Sequence, residues 1–300
     1  MTEPHLFDKR NVRRSFERAA ATYDAAAVLQ REVERRMFER LDYVKLAPAT
    51  VLDAGCGTGT GARELARRYP DARVIGLDLA FTMLEAAREP RSWLQRIGVG
   101  RRRIASVCGD VERLPLSSGS VDLIWSSAML QWVTDLPNTL KELRRVLRPG
   151  GLLMFSTFGP DTLKELRVAF NAADGRSHVN RFIDMHDIGD MLVHARLADP
   201  VMDMEQIVLT YATVRDLMRD LKAIGAHYVT AGRPRGLGGR SALAGVEERY
   251  EALRRDGVLP ATYEVLYGHA WAPAGGPEHT ADGHAVVQFH RGARRSSSAP

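Results

Sequence analysis

The stretch Val51-Leu52-Asp53-Ala54-Gly55-Cys56-Gly57-Thr58-Gly59 decides how the rest of the 300-residue chain is read. An apolar run ends on a carboxylate, and three glycines follow at alternate positions. Glycine lets a backbone approach a ligand closely and adopt positive φ. A helix opening near Thr60 then offers unpaired N–H groups to whatever the loop cradles. Nineteen residues beyond Gly59, Asp78 ends the next apolar run, where its carboxylate is placed to take both hydroxyls of a ribose. A dinucleotide loop of the G-x-G-x-x-G type needs its third glycine later than this. Asp53 at the head of the loop suits a ligand with an amine or sulfonium better than a pyrophosphate.

Outward from that loop, short apolar runs alternate with helical stretches. Val51-Leu52 precedes a helix over Gly61–Tyr69, and Val74-Ile75-Gly76-Leu77 precedes one over Phe81–Arg88. Ile104–Cys108, Val121–Trp125 and Leu152–Phe158 read as further strands, with a helix over Asn138–Leu147 stopped by Arg148-Pro149-Gly150-Gly151. This rhythm predicts an α/β fold with a parallel sheet wound on both faces. Upstream, Val28, Val33, Met37, Leu41 and Val44 recur at helical spacing over 26–44. Downstream, helices are predicted at 160–172, 186–194, 213–224 and 241–255, with strands at 206–211 and 262–271. Residues 1–45 are thus expected to form an N-terminal helical cap or lid. Residues 46–272 form the main domain, with helical insertions between 160 and 256. Residues 273–300, rich in Gly, Pro, His and Ser, form a disordered tail.

The loop resembles motif I of the class I S-adenosylmethionine (SAM)-dependent methyltransferases, and the resemblance runs in order over roughly residues 48–158. It implies a Rossmann-like, seven-stranded, mostly parallel sheet with SAM as methyl donor. The implied cofactor-binding residues are Asp53, Gly55, Gly57, Gly59, Asp78 and Leu79, then Asp110 and Val111 from Gly109-Asp110-Val111, and Ser126 at the end of strand four. Asp110 would face the adenine amine. Read without the resemblance, Asp78 caps a helix and Asp110 is a turn residue.

The flanks carry a narrower resemblance. Phe16-Glu17-Arg18-Ala19-Ala20-Ala21-Thr22-Tyr23-Asp24 with Leu29-Gln30 resembles the N-terminal signature of the malonyl-[acyl-carrier protein] O-methyltransferase family of biotin synthesis. Gln131-Trp132, Phe155-Ser156-Thr157-Phe158-Gly159, Asn180-Arg181-Phe182, Leu221-Lys222-Ala223-Ile224-Gly225-Ala226 and Thr262-Tyr263 extend it. The resemblance implies methylation of the free carboxylate of a malonyl thioester on acyl carrier protein, or on coenzyme A, at the start of pimeloyl synthesis. Tyr23 is the candidate catalytic residue, the alternative being a core tyrosine. Gln131, Trp132, Arg181 and Lys222 are candidate substrate contacts. For Trp132 the alternative is the core, for Arg181 a surface salt bridge, and for Lys222 an exposed helix lysine. Other small-molecule SAM methyltransferases, and a methyltransferase fold recruited as an assembly factor or protein hydroxylase, remain open alternatives.

Composition narrows the partners. The charge of +5, from 42 basic against 37 acidic residues, is too mild for a nucleic-acid surface, and the clusters Arg101-Arg102-Arg103 and Arg233, Arg235, Arg240 lack interleaved aromatics. An acidic carrier protein is the expected partner, docked at the second cluster, with no nucleic acid and no membrane. The chain has no run of eighteen apolar residues for a membrane helix and no apolar signal core in Met1–Arg14. Its two cysteines cannot build a disulfide framework. A cytoplasmic location is expected. No metal site is expected, because no Cys/His set has zinc spacing.

Overall fold

The computed structural model describes residues 8–88, 104–174, 180–226, 240–275, 278–279 and 285–286. Strands β1 (Thr50–Ala54), β2 (Arg73–Asp78), β3 (Ile104–Cys108), β4 (Val121–Ser126), β5 (Leu147–Phe158), β6 (Ala198–Tyr211) and β7 (Leu259–Trp271) form one sheet in the order β3-β2-β1-β4-β5-β7-β6. The first five are parallel to one another, and β7 runs antiparallel to both its neighbours. This is the mostly parallel seven-stranded sheet the sequence predicts.

Parallel strands buried on both faces read as continuous apolar runs. Successive side chains of β1 therefore enter different cores. Val51 joins Val74, Leu123 and Leu152, while Leu52 joins Ile75, Ile124 and Leu153. The described helices are α1 (Lys9–Ala19), α2 (Tyr23–Ala26), α3 (Val28–Leu41), α4 (Thr60–Arg68), α5 (Phe81–Ala86), α6 (Leu136–Val146), α7 (Lys164–Asp174), α8 (Met185–His194), α9 (Val214–Ala223) and α10 (Arg240–Glu251). Helices α3, α4, α7, α9 and α10 send side chains into the first core. The second core takes those of α6 and α8. On α3 the buried seam is Leu29, Val33, Met37 and Leu41. Val28, expected on that seam, is 53% exposed because the helix starts on it and turns it outward.

The structure departs from the sequence reading at some boundaries. Helix α6 begins two residues early, where Asp135 caps it by accepting from the Asn138 N–H at 3.0 Å and Pro137 fits the first turn. The helix stops at Val146, and Arg148–Gly151 enter β5 instead of forming a separate turn. Gly150 there takes φ +75°, and the β4–β5 register shifts at Val121/Leu123. Strand β6 starts at Ala198, well before residue 206. It is an edge strand whose charged outer positions, Asp203 and Glu205 among them, break up the apolar signal. In the tail, Glu278–His279 pair with Ala285–Val286 as a two-stranded ribbon. Of the rest of the expected disordered tail, residues 273–275 follow β7 and the remaining residues lie outside the described ones.

Gly268 on β7 is packed closely between its partners on β5 and β6, Phe155 and Met202. A β-carbon there would lie 2.6 Å from Phe155 Cε1 and 2.8 Å from Met202 Sδ, and Phe155 is fully buried. Gly268→Ala should destabilise the protein by about 1–3 kcal/mol through overpacking. Chemical denaturation should show that loss, with partial recovery when Phe155→Leu is added.

Candidate active site

The strand order reverses between β1 and β4, and ligands in such sheets bind in the crevice beyond the carboxyl ends of the strands at that point. The glycine loop leaves β1 there. Gly55 takes φ +81°, and a β-carbon on it would come within 2.7 Å of Met129 Cβ, so only glycine fits. The N–H of Gly57 donates to Asp78 Oδ2 at 2.9 Å, and the N–H of Ala80 donates to Oδ1 at 2.8 Å. Asp78 thus fastens the loop to the end of β2. It does not cap α5, whose N-cap is Ala80.

Two cavities open at this crevice. The first, of about 760 Å³, has Asp78, Leu79, Asp110 and Val111 on one wall, and Phe16 and Trp132 also line it. The second, of about 840 Å³, is lined by Gln30 and Glu34 of α3, by Asp53, and by Thr58 and Thr60 of the loop. Tyr23, Gly55, Gly57 and Ser127 line both.

Helices α1 and α2 lie over these cavities and are tied at both ends. Lys9 reaches Asp110 Oδ2 at 2.5 Å and Glu112 Oε2 at 2.8 Å. Phe16 meets the edge of Trp132 at a centroid distance of 5.3 Å. The Thr22 hydroxyl donates to the Ala223 carbonyl at 3.1 Å, and the Thr58 hydroxyl donates to Asp24 Oδ1 at 2.5 Å. Sequence of low apolar content forms α1 because its buried residues, Val12, Ser15 and Ala19, occupy a single narrow stripe.

The site is negatively charged. Asp53 is 3% exposed, and its Oδ2 has no hydrogen-bond partner. Burial, with Glu34 and Asp78 nearby, holds its carboxyl well above the ordinary aspartate range. Burial likewise raises Glu34 and Asp78. Tyr23 is pushed up by burial, then by Asp78, Glu34 and Asp24, so its hydroxyl stays protonated near neutral pH and serves as a donor.

Residues 52–155 match the family model described as a methyltransferase domain. The chain is 59% identical to the malonyl-[acyl-carrier protein] O-methyltransferase of Gallionella capsiferriformans (strain ES-2), over 94% of this chain and 97% of that one. It is also 59% identical to the enzyme of the same name from Laribacter hongkongensis (strain HLHK9), over 97% and 98%. The chain belongs to the malonyl-[acyl-carrier protein] O-methyltransferase family. In fold it is similar to the YcgJ protein from Bacillus subtilis, with a TM-score of 0.54 at 18% identity over 80% of this chain and 98% of that one.

Set in this family, the residues singled out in the sequence divide into three groups. Tyr23, Asp53, Gly55, Gly57, Asp78, Leu79, Asp110, Val111 and Trp132 line the cavities. Gly59 and Ser126 do not. Gly59 takes φ +80° as the residue before α4, and Ser126 is fully buried while its neighbour Ser127 faces both cavities. Gln131, Arg181 and Lys222 also lie outside the lining. Gln131 Nε2 donates to the Ala128 carbonyl at 2.5 Å, and its Oε1 accepts from Thr157 Oγ1 at 3.3 Å. It therefore braces Ala128, a non-glycine residue at φ +49° on the rim of the first cavity. Arg181 and Lys222 are exposed. Arg101–Arg103, Arg233 and Arg235 lie outside the described residues, as does the side chain of Arg240.

The sequence reading gave no role to Lys9 and Glu34, polar positions of α1 and α3 that no motif marks, and no individual role to Phe16 and Gln30 of the N-terminal signature or to Ser127 after strand four.

The site fits the methyl donor expected from the sequence. The orphaned, buried Asp53 Oδ2 calls for a cationic group, and the glycine loop leaves room beside it. Without that cation the charge is a burden on folding. The folded-state pKa of Asp53 is raised, so the stability tied to its proton is present at low pH and lost as pH rises above about 4. Asp53→Asn should therefore raise the melting temperature of the ligand-free protein relative to wild type, by a margin that widens from pH 5 to pH 8. The same variant should bind SAM roughly ten- to a hundredfold more weakly. Melting curves at several pH values and calorimetry check both halves.

Proposed function

We propose that this protein transfers the methyl group of SAM to the free carboxylate of a malonyl group on acyl carrier protein, giving the methyl ester that starts pimeloyl synthesis for biotin. The observation that carries the reading is the near-full-length match to relatives of that name. It continues beyond the methyltransferase domain through the lid and the C-terminal helices. When bound, SAM supplies a methyl group activated by a sulfonium.

The chain's own work is positioning. A malonyl carboxylate is ionised at neutral pH, so no base has to create the nucleophile. Tyr23, protonated and placed between the two cavities, donates a hydrogen bond that orients the incoming oxygen. Phe16, Met83, Trp132 and Val133 give the first cavity apolar walls. Charge is lost as the anion meets the sulfonium, so a water-poor cavity under the lid favours the reaction. When the donor is bound, Asp78 would hold the ribose end of its nucleoside and Asp110 the base end, with Leu79 and Val111 lining the same space.

The carrier protein docks on α1. That helix lines the first cavity with Val12 and Phe16, and it carries Lys9, Arg10, Arg13, Arg14 and Arg18 against the single acid Glu17. Arg10 and Arg14 are exposed. Such a face complements an acidic partner and speeds encounter. A reducing, cytoplasmic setting suits the exposed free thiol of Cys108.

Incubation with methyl-labelled SAM and malonyl carrier protein should place label in a base-labile ester, and transfer to neither the carrier nor malonyl-CoA would remove the reading. In the same assay Arg10→Glu/Arg14→Glu should raise KM for the carrier about three- to tenfold, more at low salt than at high, while leaving KM for malonyl-CoA nearly unchanged. Tyr23→Phe should lower turnover roughly ten- to a hundredfold with SAM affinity and melting temperature held, since it removes one positioning hydrogen bond and keeps the ring. A fully active Phe variant would take Tyr23 out of the chemistry.

A further inference from the structure

Asp53 is not the only carboxylate at its end of the crevice. Glu34 reaches in from α3, and the two acids converge above Gly61 in the first turn of α4. A β-carbon on Gly61 would touch Glu34 Oε1 and lie 3.1 Å from Asp53 Oδ2. Any larger residue would fill the space between them. One turn before Glu34, Gln30 offers a buried Oε1 that also lacks a partner and lines the same cavity.

The local cations do not neutralise this group of acceptors. Arg31, which also lines the cavity, donates to the Asp24 main-chain carbonyl. Arg63 of α4 donates to the Thr58 carbonyl at 3.0 Å. Burial raises Glu34 above the ordinary glutamate range, with the Thr60 and Trp125 side chains beside it pulling the other way. Two carboxylates and one amide oxygen thus face a common space, and Asp53 Oδ2 is both buried and unpaired.

We propose that Glu34, with Asp53 and Gln30 Oε1, forms a three-acceptor socket for the primary ammonium group of the methyl donor. An ammonium carries three N–H donors and no acceptor, which matches three converging oxygens in number and in charge. The inference rests on the donor occupying this crevice. The ammonium keeps its charge throughout methyl transfer, so Glu34 binds donor, transition state and by-product alike. It acts on affinity and leaves the chemical step untouched.

The test compares two ligands by calorimetry. S-adenosylhomocysteine carries the amino-acid end, and 5′-methylthioadenosine carries the nucleoside and thioether without it. Glu34→Gln keeps the size of the side chain. It should weaken S-adenosylhomocysteine about tenfold, the effect of one charge-assisted contact, and leave 5′-methylthioadenosine unchanged. Glu34→Ala should do the same. In turnover assays KM for SAM should rise with kcat held. Equal effects on both ligands, or none on either, would make Glu34 a structural acid and overturn the proposal. Wild-type protein that binds neither ligand would overturn the donor site itself, and the socket with it.

Discussion

A buried carboxylate with one oxygen left unpaired, Asp53 at the end of the central strand β1, is the constraint around which this molecule is organised. Burying an unpaired ion costs several kcal/mol, on the order of the net stability of a domain. The fold tolerates it by fixing the main chain on both sides. Strand β1 is laddered to β2 and β4, and its neighbours Leu52 and Ala54 are fully buried. The space beside the charge is kept open by Gly61, whose β-carbon would lie 3.1 Å from Asp53 Oδ2. The strand fixes the carboxylate in place beside the crevice.

Asp110 anchors the N-terminal helix. Its Oδ2 holds Lys9, the residue that ties α1 across the first cavity, while Val111 and Leu79 line the same cavity. Glu112 stands ready as an alternative partner, since it already lies 2.8 Å from Lys9 and is fixed by the Thr134 hydroxyl. The position of α1 is therefore set by two acids, Asp110 and Glu112, that both line the first cavity.

What could be read in the sequence follows from the physics of each element. Strands β1, β2, β4 and β5 were legible because both their faces are buried, β3 from its short apolar run although it is a half-exposed edge strand, and the loop because its backbone geometry demands glycine. The edge strand β6 was half legible, because one side carries charges that pair with Arg36 and Arg40 of α3. In the site, Asp53, Asp78 and Asp110 announced themselves at strand ends. Ser126 and Ser127 could not be told apart there, because neighbouring residues of a strand face opposite ways and the last turn off β4 decides which one reaches the crevice. Glu34 was hidden among Glu32, Arg35 and Arg36, whose ion pairs belong to a solvent-facing surface. Helix periodicity separates buried from exposed apolar residues well, but it says little about a polar side chain that leans around the helix into a cavity.

The position of β7 has a consequence for how the chain is made. This strand is the last long element in sequence, yet it sits between β5 and β6 and pairs with both along most of its length. During synthesis the glycine loop, the crevice and five parallel strands emerge first, and β6 follows without a neighbour. Until Leu259–Trp271 leaves the ribosome, the inner edges of β5 and β6 both present unpaired backbone groups, the kind of edge through which nascent chains associate wrongly. Completion of the sheet is thus a late, long-range event that closes the fold in a single step, and a chain truncated before β7 has two open edges and no way to satisfy either.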